Sequence, residues 1–378
     1  MRIAQVAPLY ESVPPQLYGG TERVVSYLTE ALVEQGHDVT LFASGDSVTK
    51  ARLVGSCPRG LRLDQEVFDP LAHHFVQLEQ VFEKAASFDI IHFHIDYLHF
   101  PLSRRQTACQ VTTLHGRLDL PDLVPLYKVF SDMPVVSISN AQRAPLPWLN
   151  WQGTVYHGLP TNLYDWRETP GEYLAFLGRI SPEKRVDRAI EIAKRAGMKL
   201  KIAAKVDAAD RKYVEAKVRP LLEHPCVEYI GEINQAGKRE FLSNAYALLF
   251  PVDWPEPFGL VMVEAMACGT PVIAYRCGSV PEVIEDGATG FTVGTIEGAL
   301  AAVEKVQSFD RKRCRQVFEE RFSSTRMAQD YARIYQRLIK ASKVREKSPF
   351  ASLRSRVSGS ESRPSVEPRV AAKSEGVD

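Results

Sequence analysis

Short unbroken apolar runs alternate along the chain with longer stretches whose apolar positions recur every three or four residues. Runs at 2–7, 38–43, 89–94, 109–114, 134–138 and 153–157 read as strands, with helical periodicity at 21–35, 71–87, 121–131 and 140–149. Strands that are apolar throughout, separated by amphipathic helices, predict a parallel sheet covered on both faces. The stretch 44–70 carries no clear period and reads as loop with room for one edge strand. At 158–171 Gly, Pro, Thr, Asn and Asp accumulate, which predicts a linker. Alternation then resumes, with strands at 173–178, 198–204, 226–230, 246–250 and 271–275 and helices at 182–196, 208–222, 235–244, 258–267 and 296–306.

The expected fold class is therefore α/β: two Rossmann-like, doubly wound domains, 1–160 and 161–323, joined by a hinge. In such an arrangement the ligand sits in the crevice at the carboxyl ends of the strands. Residues 324–343 predict one charged helix with Met327, Tyr331, Ile334, Tyr335 and Leu338 on a single stripe. From 344 to 378 periodicity disappears into Ser, Arg, Pro, Glu and Val, which predicts disorder.

Composition narrows the function classes. A chain of 378 residues suits two cores, and a formal net charge of +1 gives no electrostatic footprint for nucleic acid. Six cysteines without a CxxC pair offer neither a zinc site nor a disulfide framework, so reduced thiols and a cytoplasmic location are expected. The first residues turn polar too soon for a signal peptide, and no apolar run approaches the ~18 residues of a membrane span.

The candidate chemistry centres on 255–273. Glu256 is pinned between two prolines, Phe258-Gly259-Leu260 opens an almost wholly apolar helix, and Glu264 lies inside that helix. Gly269 stands where a C′ glycine ends a helix, before Pro271. A helix start offers unpaired N–H groups and a positive dipole end to phosphate, and Gly259 lets a ligand approach the backbone. An ionised Glu in an apolar helix costs several kcal/mol without a partner, so something polar should face Glu264. On physics alone this is either a pocket for a ligand with hydroxyls and phosphate, or a buried helix whose Glu caps a neighbour.

Other stretches add candidates. Gly178-Arg179-Ile180-Ser181-Pro182-Glu183-Lys184 follows a strand and opens a helix, with Ser181 as the expected cap and Pro182 at its first position. Tyr18-Gly19-Gly20-Thr21 links the first strand to the first helix, where paired glycines admit a phosphate or sugar, although the spacing is not that of a dinucleotide fingerprint. His115 stands at the carboxyl end of a strand. His92 and His94 share one strand face, and we read them as polar groups near the cleft rather than as a metal site.

The text from Pro255 to Val272 resembles the Glu-x7-Glu signature of the retaining family 4 glycosyltransferases with the GT-B fold (glycosyl transferases group 1). Glu256 and Glu264 have its spacing, Pro-Glu-Pro-Phe-Gly-Leu and Gly-Thr-Pro-Val its flanks, and Gly178–Lys184 resembles the family's Gly-Arg-x4-Lys motif. The resemblance implies transfer of a hexose from a nucleoside-diphosphate sugar to a small-molecule or glycan hydroxyl, without metal or other cofactor. UDP-glucose is the first donor it points to, with GDP- and ADP-sugars open. It implies that Arg179 and Lys184 hold the diphosphate and Glu264 the ribose. Glu256 with the Phe258, Gly259 and Leu260 amides would hold the sugar, His115 would steady it, and Gly19-Gly20 would face the cleft. His115, Glu256, Arg179 and Lys184 are thus the expected catalytic set.

It further implies front-face return without a protein nucleophile, and a last helix that crosses back to the first domain. The chain departs from the family in His115-Gly116, where many members have His-Asp, and in His157 and Pro160, where they have Asn and Asp. The second departure is expected at the hinge and acceptor side, leaving the donor motifs untouched. Residues 1–160 hold 12 Lys and Arg against 16 Asp and Glu, which favours a soluble acceptor over an anionic lipid surface. An epimerase or phosphorylase on the same plan, or a non-catalytic sugar-nucleotide binding subunit, are the alternatives.

Overall fold

A computed structural model describes residues 1–17 and 19–346 of the chain. Tyr18 of the glycine loop, and residues 347–378 of the expected disordered tail, lie outside the described residues. The first sheet holds β1 (Arg2–Val6), β2 (Asp38–Ala43), β3 (Arg52–Gly55), β4 (Ile90–Phe93), β5 (Gln110–Thr113), β6 (Val135–Ser137) and β7 (Trp151–Thr154), in the order β3-β2-β1-β4-β5-β6-β7. The second holds β8 (Tyr173–Arg179), β9 (Lys199–Lys205), β10 (Val227–Gly231), β11 (Ala245–Phe250), β12 (Val272–Tyr275) and β13 (Gly290–Val293), ordered β10-β9-β8-β11-β12-β13. Neighbouring strands in both sheets run parallel. Strand order reverses between β1 and β4 in one sheet and between β8 and β11 in the other, and such switch points open a crevice at the strand carboxyl ends.

The apolar periodicity explains the packing. Helix Gly20–Glu34 buries Val24, Val25, Leu28 and Leu32, and helix Val186–Ala196 buries Val186, Ala189, Ile190 and Ala193. β8 presents Leu174, Ala175 and Phe176 buried in succession, the mark of a strand covered on both sides.

Several boundaries differ from the expected ones for local physical reasons. The helix expected at 140–149 ends at Arg143, ahead of Pro145 and Pro147. The stretch expected helical at 208–222 breaks into short pieces with a widened π turn at Val214–Val218, just before Pro220 removes a backbone donor. The strand expected at 153–157 lies at Trp151–Thr154. Val155 still extends the ladder, its N–H donating to Ser137 O at 2.9 Å, whereas His157 owes its buried environment to the domain crossing. β13 and helix Arg311–Phe322 are not among the expected elements: one is short and Gly-started, and the other is too charged to show an apolar stripe.

The chain leaves the first domain near Leu159 and returns at Ser323, and the two crossings lie side by side. Leu159 N donates to Phe322 O at 2.8 Å and Ser324 N to Leu159 O at 2.8 Å. A side chain on Gly158 would stand 2.3 Å from Ser323 O, so only glycine permits this approach. The last helix, Ser324–Glu346, packs on helix Gly20–Glu34 of the first domain with Met327, Tyr331 and Tyr335 fully buried. It runs three residues beyond the expected limit, into the stretch expected to be disordered. Among the described residues no helix is long and apolar enough to cross a membrane.

Candidate functional site

The carboxyl ends of β1, β5, β8 and β11 frame a cavity of about 420 Å³ between the two domains. Gly19, Gly20 and His115 line it from the first domain, and Arg179, Lys184, Glu256, Phe258, Gly259, Leu260 and Glu264 from the second. The expected catalytic and donor-binding residues therefore line one crevice, whereas His92, His94 and Ser181 are not part of its lining.

Helix Leu260–Ala267 begins at the cavity wall, with Gly259 as its N-cap at φ 76°. A Cβ there would meet Met262 Cε at 2.6 Å and Phe250 at 3.0 Å. Glu256 is held on a turn that packs against Gly278, whose own Cβ would lie 2.3 Å from the Glu256 nitrogen at φ 55°. Ser279 N closes this turn onto Glu256 O at 2.9 Å. The Glu256 carboxylate accepts from the Lys184 ammonium and, at 2.8 Å, from Trp254 Nε1. Lys184 also lies 5.1 Å from the Trp254 ring centroid, within cation–π range.

The polar partner demanded by Glu264 is Lys238, whose ammonium stands 2.8 Å from the carboxylate, with the two side chains only 15% and 3% exposed. Sequence reading missed this lysine. Its signal was the buried Glu itself, which needed a cation from a neighbouring helix. Arg179 is ringed by Glu183 at 2.5 Å, Asp207 at 3.4 Å and Asp210 at 3.5 Å. The expected Ser181 cap is not made: the hydroxyl bonds no helix amide. The chain instead passes through a 3-10 turn, Pro182–Lys184, and the left-handed Arg185 (φ 53°) before the α-helix starts. That turn points Lys184 at Glu256.

On the opposite wall, His115 Nε2 lies 2.9 Å from His94 Nδ1, while its Nδ1 is buried without a protein partner. Burial pushes His115 down to about 3 and His94 and His157 well below the usual imidazole range, so all three are neutral near pH 7. His157 corrects an expectation. Its ring stacks on His115 at 5.3 Å and meets Phe258 edge-on at 4.7 Å, so the departure at this position reaches the donor motifs. The physical reason is the crossing, which carries 155–159 under the cavity rather than out to the acceptor side.

Hydrogen-bonded bridges close the domains beside the cavity. Arg23 donates to Gln235 Oε1 at 2.9 Å. Glu282 receives the amides of Asn140 and Ala141, both at 2.7 Å, and the Tyr156 hydroxyl at 2.9 Å.

Known proteins agree with this architecture. Residues 166–319 match the model "Glycosyl transferases group 1", and residues 18–152 match "Glycosyltransferase Family 4". An uncharacterized glycosyltransferase of Methanocaldococcus jannaschii is 24% identical over 347 residues, 78% of this chain and 85% of that one. Among solved structures, the sucrose-phosphate synthase of Thermosynechococcus elongatus superposes with a TM-score of 0.74 at 19% identity, covering 90% of this chain and all of that one. Anabaena HepE in complex with UDP and glucose gives 0.67 at 18% identity, covering 88% and 98%. The fold is thus GT-B, two Rossmann-like domains facing a central cleft. The chain belongs to the family 4 glycosyltransferases and is a transferase enzyme.

Proposed function

We propose that the protein moves a hexose from a nucleoside-diphosphate sugar, with UDP-glucose first among the candidates, to a small-molecule or glycan hydroxyl, with retention and without a metal ion. The observation that carries this reading is the convergence of Arg179, Lys184, Glu256 and Glu264 on one cavity, with a helix N-terminus on one side and His115 on the other. Binding of UDP and glucose by the structural neighbour HepE supports the donor class.

In this reading each cation waits on a carboxylate that the donor diphosphate displaces. As the bond from the anomeric carbon to the diphosphate oxygen breaks, Arg179 and Lys184 stabilise the charge that gathers on the leaving group. The acceptor oxygen then bonds that carbon from the same face, and its proton passes to the departing diphosphate. Glu256, released by Lys184, turns to the sugar hydroxyls, and Glu264 holds the ribose. The Gly259 and Leu260 amides face the phosphate.

A thermal-shift screen against UDP-, GDP- and ADP-sugars in EDTA, repeated on Glu264→Ala, tests the donor site. A ligand at 100 times its Kd stabilises by about 2.7 kcal/mol. One nucleotide series should protect the wild type and lose that protection in the variant. Equal protection of the variant would remove Glu264 from the site. Incubation with an acceptor library then separates glycoside formation from an isomerised donor or a sugar phosphate.

A further inference from the structure

Behind His115 lies a continuous string of buried hydrogen bonds that ends on the last helix. His115 Nε2 meets His94 Nδ1 at 2.9 Å, and His94 Nε2 meets Gln5 Oε1 at 2.7 Å. Gln5 Nε2 meets the Tyr335 hydroxyl at 3.2 Å, which in turn lies 2.7 Å from His92 Nδ1. His92 Nε2 then meets Thr113 Oγ1 at 2.7 Å, which meets the Tyr331 hydroxyl at 2.8 Å.

The direction of this string follows from the Gln5 amide. A hydroxyl donating to a carbonyl oxygen sits at about 2.5–3.0 Å, whereas an N–H donor reaches about 3.2 Å. The contact to Tyr335 is therefore made by the Gln5 nitrogen, and the shorter contact to His94 by its oxygen. A carbonyl oxygen only accepts, so His94 carries its proton on Nε2 and presents a lone pair at Nδ1. His115 must then donate from Nε2, which leaves Nδ1 bare. That atom is the buried one with no protein partner.

We infer that Tyr335 is a positioning residue of the transferase: through Gln5 and His94 it selects the His115 tautomer whose Nδ1 is a hydrogen-bond acceptor, so that the site recognises a ligand hydroxyl by its proton. Tyr335 touches neither ligand nor reacting atoms. It acts by orienting the Gln5 amide, which a side chain without the hydroxyl leaves free to turn over. With the amide reversed, every proton in the string moves over and His115 offers an N–H in place of a lone pair. The functional consequence rests on the reading of the cavity as a sugar-donor site, but the tautomer assignment does not.

Nitrogen-15 NMR of the unliganded, histidine-labelled protein separates the two, with His115 assigned from a His115→Gln sample. His115 is expected to show a protonated Nε2 and a bare Nδ1. A proton on Nδ1 overturns the inference without any variant having to fold. In Tyr335→Phe the His115 signals should shift toward the other tautomer or a mixture of the two. Gln5→Glu, whose carboxylate can only accept, should restore the bare Nδ1, while Gln5→Leu should not. An unchanged tautomer in folded Tyr335→Phe and Gln5→Leu also overturns it. If donor sugars protect the protein against heat but leave the Nδ1 signal unmoved, the recognition of a ligand hydroxyl by His115 is overturned while the donor site stands; if no donor sugar protects it, the donor-site reading fails and the tautomer assignment stands.

Discussion

Replacing Lys238 by Met keeps the volume of the side chain but leaves the Glu264 carboxylate buried and without its cation. Glu264 is 3% exposed and has Lys238 at 2.8 Å as its ion-pair partner. Breaking a buried ion pair from one side costs about 3–5 kcal/mol. Lys238 borders the cavity, so water enters part of the space it vacates, and we expect about 2–3 kcal/mol. At roughly 2–4 °C per kcal/mol for a domain of this size, Tm should fall by about 5–10 °C. The opposite substitution, Glu264→Leu, should cost less, because a lysine can swing its ammonium into the cavity while the stem stays packed. The double variant removes both charges and should lie well above the sum of the singles, with a coupling of about 1–3 kcal/mol. Urea unfolding of the four proteins at constant pH and salt gives all the terms. A loss below about 0.5 kcal/mol for Lys238→Met, or strictly additive losses, would refute the claim that this buried carboxylate depends on Lys238.

Further outcomes follow from single contacts. Gly278→Ala forces a Cβ onto the Glu256 backbone nitrogen at a left-handed φ, and should cost well over about 1 kcal/mol and most of the activity. Gly259→Ala also sits at a positive φ but meets only the flexible end of Met262 and the Phe250 ring, so its melting temperature should fall less; the reverse order would count against the packing described. Glu282→Ala removes the acceptor for two amides and a tyrosine hydroxyl between the domains, and should cost about 1–3 kcal/mol and expand the particle in small-angle scattering. Unchanged scattering and stability would show the bridge to be idle. Burial raises Glu22 from the ordinary carboxylate range to about 7, so between about pH 4.5 and 7 the folded chain holds a proton that the unfolded chain has released. Its contribution to stability is present below that window and is lost as pH rises through it. Relative to wild type, Glu22→Gln should therefore gain stability from pH 5 to pH 8, by at most about 1.4 kcal/mol per unit. Parallel pH profiles would contradict this.

The second domain's share of the candidate site was legible because its residues answer to backbone constraints that survive in one dimension. Pro255 and Pro257 around Glu256, Gly259 before an apolar helix, and Arg179 after an apolar strand each carry a local physical reason. The strands were legible to within about a residue at most ends, because parallel strands buried on both faces leave unbroken apolar runs. What stayed hidden depends on contacts distant in sequence. Lys238 sits on an ordinary amphipathic helix and becomes special only beside Glu264. His157 reads as a hinge residue until its ring is seen against His115. Glu282 and Trp254 likewise take meaning from partners on another element, the amides of Asn140 and Ala141 for one and the Lys184 ammonium for the other. Helix Arg311–Phe322 hid for another reason: seven of its twelve residues are charged, so no apolar stripe stands out before the fold buries Val317, Phe318 and Phe322.

Because the chain returns to its first domain only at Ser324, the second domain is topologically an insertion within the first. Gln5 and Tyr335 are hydrogen-bonded across 330 positions of sequence. During synthesis the second domain emerges as one contiguous piece and can close its own core on the ribosome. The first must wait with one wall missing until the last helix has cleared the exit. A nascent chain that has reached Phe322 thus carries both carboxylates and both cations of the second domain, while the histidines facing them still lack their anchor. Completion of the site is tied to the arrival of Ser324–Glu346, and a chain halted before it would present the second domain's charged groups without the anchored histidines that face them.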